Sequence, residues 1–406
     1  MKKYILVFIV FISFSSQAFS QGWQTQTSNV TNRLFGVSFL NANTGMVCGE
    51  QGRILKTTTG GAFWFQVNFS NEFYLQAIQM VDEFVAYAVG SLGTVLKTTN
   101  GGQTWTVNNP HPTTTFNCLS FTDIDNGWIG GFAGSVFRTT NGGQNWQPQS
   151  EVNFTIAGIK FTDVLNGTAV GAGGKVFKTT NGGFNWNIVN SNTMLDLNAV
   201  DFITTDTGVC VGLNGLVLVS EFGGFVWTQK TTGITDALNG VSFCGNSKNI
   251  CAVGNNGRII RTTNGGETWI QQFASTSNAL YAVDFVNSFT GYASGLAGTI
   301  LKTGTGGGIN VKKISTNIPD KFKLEQNYPN PFNPNTIIKF ALNKFANISL
   351  TVFDIAGREI KRIIAENLGP GEYEINFNAK NLSSGIYFYN LTAGNYSETK
   401  RMIISK

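Results

Sequence analysis

Six aspartates stand at recurring places along the chain: Asp82, Asp123, Asp163, Asp201, Asp206 and Asp284. Two carboxylates about 5–9.5 Å apart would suit glycoside cleavage, one as acid and the other as base or nucleophile. Most of these six, however, fall at the ends of short apolar runs or in the turns that follow, copy after copy. That is where Asp closes turns by local hydrogen bonds, so the pattern reads as turn chemistry. Recognition of a carboxylated sugar by a guanidinium triad would have to draw on Arg33, Arg53, Arg138, Arg258 and Arg261. Arg138 belongs to a repeated structural position and Arg258 and Arg261 share a strand, so three converging guanidinium groups are not expected. The only histidine, His111, is flanked by Pro110 and Pro112, which gives Ser/His/Asp catalysis little support. No phosphate-cradling loop, CxxC or Cys/His cluster occurs, so neither a cofactor nor a zinc site is expected. The reading is non-enzymatic.

Binding is the remaining chemistry. Arg53, Lys175 and Arg258 each follow a Gly-x-x-Gly loop, and their counterparts elsewhere are Thr94, Ser135, Leu216 and Thr299. Variation at a repeated loop position is what a binding face would show, and these three cations would receive an acidic protein segment or a carboxylated glycan. A second basic series, Lys56, Lys97, Arg138, Lys178, Arg261 and Lys302, precedes Thr or Thr-Thr in six of seven copies, with Val219 as the exception. It reads as structural, with each stem packed over a neighbouring ring and its charge at the rim.

The elements that must position these residues are repeats. The stretch Thr98-Thr99-Asn100-Gly101-Gly102-Gln103-Thr104-Trp105 has near copies ending at Trp64, Trp146, Trp186, Trp227 and Trp269, in steps of 41, 41, 40, 41 and 42 residues, and one step back lands on Trp23. Asn100, Asn141, Asn181 and Asn264 hold the same place in the better copies, where Thr and Asn cap the turn and Trp fills space between units. One unit reads as four strands: Ala77–Val81, Ala86–Val89, Thr94–Thr98, and a fourth beginning at Thr104. Gly-x-x-Gly joins the second to the third, and Asn-Gly-Gly the third to the fourth. Four short strands in about 40 residues make one propeller blade. Seven Gly-x-x-Gly loops (49–52, 90–93, 131–134, 171–174, 212–215, 254–257 and 295–298) give seven blades. The seventh copy ends without a Trp, whereas the chain offers Trp23-Gln24-Thr25-Gln26 with nothing before it. Residues 22–27 are therefore expected to close the ring and abolish its open edge. The fold expected is all-β: a seven-bladed β-propeller over 21–308, monomeric, then a linker over 309–322 and an immunoglobulin-like β-sandwich over 323–406.

Lys2-Lys3, the apolar run Tyr4 to Phe14 and Ala18-Phe19-Ser20 read as a signal peptide, residues 1–20, cleaved before Gln21. Residues 21–310 carry 13 Lys/Arg against 15 Asp/Glu, and residues 311–406 carry 13 against 8. The repeat region thus has no basic footprint for nucleic acid. Of the five cysteines, Cys244 and Cys251 flank a short turn, and an oxidising compartment would permit a bridge between them; small buried thiols are the alternative.

Thr-x-Asn-x-Gly-x-Thr-Trp, complete at 98–105 and 262–269, resembles the Asp-box, or bacterial neuraminidase repeat, with Asn in place of Asp. Such boxes occur in propellers of sialidases, xyloglucanases, sortilin-type receptors and photosystem II assembly factors. With seven Gly-x-x-Gly loops and Lys/Arg-Thr-Thr-Asn-Gly-Gly, the chain looks most like the last group. The tail resembles the type A C-terminal sorting domain of type IX secretion in Bacteroidetes-like bacteria. The residues that carry this are Tyr328-Pro329-Asn330-Pro331-Phe332-Asn333-Pro334, Val352-Phe353-Asp354-Ile355-Ala356-Gly357, Leu382-Ser383-Ser384-Gly385-Ile386-Tyr387 and Lys400-Arg401-Met402-Ile403. Phe377 departs from a position where many relatives carry Trp. The resemblance implies export across both membranes to the cell surface or the medium, with the type IX machinery as a partner. The function expected is a secreted or surface-attached propeller that binds a protein or glycan. A surface glycoside hydrolase and an assembly factor for a membrane complex are the alternatives.

Overall fold

The computed structural model describes residues 22–67, 73–149, 154–272, 274, 276–304, 306, 311–315, 317–344, 346–379 and 382–406. The expected signal peptide lies outside the described residues. None of the described helices is long and apolar enough to cross a membrane.

Seven four-stranded antiparallel sheets follow one another. Blade 1 is Leu34–Phe39, Gly45–Gly49, Ile54–Thr57 and Phe65–Gln66, and blades 2 to 6 repeat this order with first strands Leu75–Met80, Phe116–Phe121, Ile156–Phe161, Leu197–Phe202 and Leu238–Phe243. Blade 7 takes Leu280–Phe285, Gly291–Gly295 and Ile300–Thr303 from the end of the array and its fourth strand, Gln24–Gln26, from the beginning. The register Gln24↔Lys302, Thr25↔Leu301, Gln26↔Ile300 closes the ring as expected. Trp23 is 1% exposed, meets Phe285 edge-to-face at 5.6 Å and donates from Nε1 to Gln272 Oε1 at 2.9 Å.

Local chemistry explains the repeat. In the box of blade 2, Thr98 Oγ1 accepts the Gly102 N–H at 2.9 Å, and Asn100 Oδ1 accepts both the Thr98 hydroxyl (3.0 Å) and the Thr104 N–H (2.9 Å). Asn141, Asn181 and Asn264 make the corresponding bonds. The carboxamide oxygen is consumed within the turn. At the Gly-x-x-Gly corner the first glycine is compulsory: a Cβ on Gly49 would stand 1.9 Å from the Arg33 carbonyl oxygen.

The blades are joined by a ladder of rings and cations. Tyr87 stacks on Phe121 of the next blade (3.7 Å), Trp128 on Phe161 (3.6 Å) and Tyr292 on Phe39 (3.5 Å), and those phenylalanines meet Trp146, Trp186 and Trp64 edge-to-face at 5.8–6.1 Å. The second basic series covers the outer ring of each stack: Lys97 lies 5.4 Å above Tyr87, Arg138 5.2 Å above Trp128 and Lys302 5.5 Å above Tyr292. The same ammonium groups then cap the box of the following blade. Lys56 Nζ donates to the Gly101 carbonyl (2.5 Å), Lys97 to Gly142 (2.7 Å) and Lys302, across the closure, to Gly60 (2.6 Å). Arg261 reaches Gly306 and Ser288 in the same way. Burial lowers the pKa of Lys56, Lys178 and Lys302.

The five cysteines are buried free thiols, so the pairing allowed for Cys244 and Cys251 is not formed. Cys251 faces Ser242 in register, and the Cys244 N–H bonds to the carbonyl of Asn249, placing the two thiols diagonally across the hairpin. Diagonal neighbours stand about 7–8 Å apart, beyond the roughly 4.4–6.8 Å that a disulfide spans between Cα atoms. Both belong to one apolar cluster, and burial pushes Cys251 up to about 12.

The tail is a sandwich of two four-stranded sheets. One has the order Val311–Ser315, Gly371–Asn378, Asn335–Leu342, Lys323–Leu324, and the other Glu359–Leu368, Ala346–Phe353, Gly385–Ala393, Tyr396–Ile404. The segment expected as linker therefore contributes a strand, paired with Gly371–Asn378. Ile338, Phe340, Leu342, Leu350, Val352, Ile375, Phe377, Tyr389 and Leu391 fill the interior. The proline-rich motif is fixed to that core at its ends: the Asn327 N–H donates to Tyr389 Oη (2.7 Å), which donates to the Glu325 carbonyl (2.8 Å), and Phe332 is 3% exposed. Tyr328 between them is 80% exposed.

Candidate functional site: the two faces of the ring

The strands run from one face to the other, so each face is built from a single class of turn. The loop face carries the Gly-x-x-Gly corners and the connections into each first strand. The box face carries the turns after each first strand and the Asn-Gly-Gly boxes.

On the loop face the seven corners share one backbone. The residue after each corner's leading pair (Gln51, Leu92, Ala133, Gly173, Asn214, Asn256 and Ala297) has φ between 53° and 65°, and all seven are exposed. The second glycine ties the corner to the connection entering the next blade: Gly52 N–H to Phe73 O, Gly93 to Thr114, and Gly298, across the closure, to Asn32. Side chains there follow no repeat. Tyr74, Leu92, Phe132, Leu213 and Met194 are exposed among polar neighbours, Met194 at 89%.

Arg53, Lys175 and Arg258 all lie on this face, on blades 1, 4 and 6, so no two are on adjacent blades. Lys175 is exposed. Arg258 is committed to Asp236, with Nε and Nη2 at 2.8 and 2.5 Å from Oδ2. The Asn256 side chain, and then that of Arg258, hold the Asp236 carboxyl below the usual carboxylate range. Arg53 is half-buried, and its buried Nε has no hydrogen-bond partner. The counterparts Thr94, Leu216 and Thr299 are buried. His111 lies in the connection to blade 3, with Nδ1 3.3 Å from the Thr113 hydroxyl.

On the box face, Asp82, Asp123 and Asp163 do what their spacing indicated. Each accepts backbone N–H groups two and three residues on, at 2.6–2.9 Å. Asp123 and Asp163 are partly desolvated, yet the Asn126 and Asn166 side chains and those N–H groups hold both below the carboxylate range. Asp201 and Asp284 depart from the turn reading. Both are inside first strands and line the central channel.

The channel has two further rings of side chains, both outside the repeated Thr, Asn, Gly and Trp positions. Each first strand carries a bulge after its first residue. The bulged residues (Phe35, Gln76, Asn117, Ala157, Asn198, Asn239 and Tyr281) rim the loop-face mouth, a cavity of about 400 Å³. Three of them bridge to the next blade: Asn117 Nδ2 to Ile156 O, Asn198 to Leu238 O and Asn239 to Leu280 O, at 2.8–2.9 Å.

The second ring is Ser38, Gln79, Ser120, Lys160, Asp201, Ser242 and Asp284, lining a cavity of about 590 Å³ at the box-face end. Six of the seven are acceptors, and each takes a backbone N–H from the following blade: Ser38 from Met80, Gln79 from Phe121, Ser120 from Phe161, Asp201 from Phe243, Ser242 from Phe285 and Asp284 from Phe39, at 2.6–3.2 Å. Lys160 cannot accept. Its Nζ pairs with Asp201 Oδ1 at 2.8 Å, and Asp201 takes the Phe202 N–H that the missing acceptor would have held. The Asp201 charge holds Lys160 above the usual lysine range. Burial pushes Asp284 up to about 6. Counting back eleven residues from each Gly-x-x-Gly, or twelve in blade 6, exposes this ring as the series S, Q, S, K, D, S, D. No group of three or more metal-ligating side chains occurs among the described residues.

Comparison with known proteins agrees with both domains. Residues 15–112 and 185–272 match the family described as photosynthesis system II assembly factor YCF48, and residues 326–405 match the secretion system C-terminal sorting domain. Among solved structures the chain is similar to YCF48 bound to D1 peptide (18% identity, TM-score 0.62, covering 70% of this chain and 98% of that one) and to YCF48 from Cyanidioschyzon merolae (18%, 0.60, 70% and 98%). It is also similar to the WD40 propeller domain of Doa1 (10%, 0.59, 70% and 96%). No curated protein sequence matches the chain.

Proposed function

We propose that this chain, a YCF48-like propeller followed by a secretion-system C-terminal sorting domain, is exported by type IX secretion to the cell surface or the medium. There it holds a protein partner on its loop face without catalysing a reaction on it. The observation that carries this reading is the contrast within the loop face. Seven corners have the same backbone, and their exposed side chains differ from blade to blade. A rigid frame presenting a non-repeating surface suits recognition of one asymmetric partner. The peptide held by a solved YCF48 structure supports a protein segment over a glycan as the partner's chemistry. Arg53 and Lys175 are the cations this surface offers, since Arg258 is already paired.

The glycosidase alternative requires two carboxylates facing one another. Among the described residues of this face Glu50 pairs with Arg33, Asp236 with Arg258, and Asp196 accepts the Gly173 N–H, which supports the binding reading. Service as an assembly factor for a membrane complex would favour a contiguous basic patch, and the cations here are spread over blades 1, 4 and 6.

The test is a pull-down of outer-membrane fractions, in parallel with a glycan array, using the mature chain and an Arg53→Ala/Lys175→Ala variant. The double variant is expected to retain a tenth or less of the bound protein partner. Equal retention by both chains would sink the site, and binding confined to the glycan array would sink the choice of partner.

A further inference from the structure

We propose that the box-face end of the central channel is a binding site for a small organic cation, an alkylammonium or guanidinium group, with Asp284 as its counter-ion. This site lies at the opposite end of the ring from the loop face and does not depend on the function proposed above.

Three of the seven residues in the channel ring are charged: Lys160, Asp201 and Asp284. Asp201 is fully engaged. Its Oδ1 meets Lys160 Nζ at 2.8 Å and the Phe202 N–H at 2.9 Å, and its Oδ2 meets the Phe243 N–H at 3.0 Å. The lysine is in contact with Asp201, and its charge reaches Asp284 only from across the channel. Asp284 receives the Phe39 N–H on Oδ2 at 2.6 Å and the Phe285 N–H as well, but has no ion-pair partner among the described residues. The ring therefore holds two carboxylates against one ammonium, a net charge of −1 when both are ionised, and it opens on a cavity of about 590 Å³. A half-buried carboxylate without a counter-charge in contact is costly, and a cation brought to it would be attracted in a partly dehydrated setting.

The neighbours of Asp284 fit a donor-rich cation. In blade order it stands between Ser242 and Ser38. Each of these serine oxygens accepts one backbone N–H, from Phe285 at 3.2 Å and Met80 at 3.0 Å, and a hydroxyl oxygen has a second lone pair. One carboxylate and two hydroxyls give three acceptors for the three N–H groups of an ammonium. A metal ion would be held poorly, because the site has a single uncommitted carboxylate. A lysine or arginine side chain of a partner and a free amine would present the same group.

The occupancy must depend on pH. Burial pushes the Asp284 carboxyl up to about 6, and the charges that reach it, Asp201 and Lys160, come from the first strands of blades 5 and 4, across the channel. The cation is held by the ionised form, so affinity falls as pH drops through that value.

Calorimetric titration of the mature chain with n-butylammonium chloride, and separately with acetyl-Gly-Lys-Gly-amide, tests the proposal. Saturable binding of at least one probe at pH 7.5 is expected, weakened tenfold or more at pH 5. Asp284→Asn, which keeps an oxygen for the Phe39 N–H, is expected to weaken binding by tenfold or more, while Arg258→Ala on the other face leaves it unchanged. Binding of the free amine identifies a small amine as sufficient, and binding of the peptide alone identifies a partner side chain. Absence of binding by the wild-type chain at 50 mM of either probe, or equal binding by Asp284→Asn, overturns the proposal; thermal unfolding of that variant at pH 7.5 checks that it is folded.

Discussion

At the residue scale, a single side chain decides whether each turn is satisfied or left open. Asn100 closes its box by accepting from Thr98 and Thr104 and donating to the Thr104 hydroxyl. Asn100→Ala should lower propeller stability by about 1–2 kcal/mol in denaturant unfolding, as loss of a cap does. Chelation of divalent ions should leave the transition unmoved. Asp284 has the opposite sign. Its folded pKa, about 6, lies above the ordinary carboxylate value, so the folded state binds the extra proton between about pH 4 and 6. Stability contributed by this group is therefore present at low pH and is lost as pH rises through 6. Asp284→Asn should raise propeller stability at pH 7.5 by about 1–3 kcal/mol and flatten that part of the profile. An unchanged profile would show that the carboxylate is well solvated.

At the scale of elements, the repeating Thr, Asn, Gly and Trp were legible because every copy needs the same turn and the same inter-blade wedge. The channel residues were not. A bulge shifts register without changing composition, and Lys160, Asp201 and Asp284 look like ordinary surface charges until the strand is placed on the axis. In the tail, charges interrupt the alternation of Glu359–Leu368, and Val311–Ser315 read as linker because it borders a glycine-rich run. The Cys244–Cys251 spacing indicated proximity but not geometry. Two substitutions test the element contacts. Lys302→Met would leave the Gly60 carbonyl without its 2.6 Å donor at the closure, and should cost about 1–3 kcal/mol in the propeller transition. Tyr389→Phe would orphan the Glu325 carbonyl and the Asn327 N–H beneath the proline-rich motif, with a similar cost confined to the tail transition.

At the scale of the molecule, both ends of the chain have assigned work. Gln24–Gln26 closes the ring, and the sandwich after it carries the sorting motifs. Trp23→Ala should destabilise the propeller by about 3–5 kcal/mol, the usual cost of deleting a buried large aromatic. Removal of residues 22–27 should expose the Ile300–Thr303 edge and cause concentration-dependent association, measurable by light scattering. The central claim is that the loop face holds a protein partner outside the cell. Its most direct test is photo-crosslinking in living cells, with a photoreactive residue at Leu92 or Phe132 on the loop face, or at Phe184 or Phe222 on the box face, all four exposed. A discrete protein adduct from Leu92 and Phe132, absent from Phe184 and Phe222, is the predicted result; adducts from the box-face positions alone would contradict it.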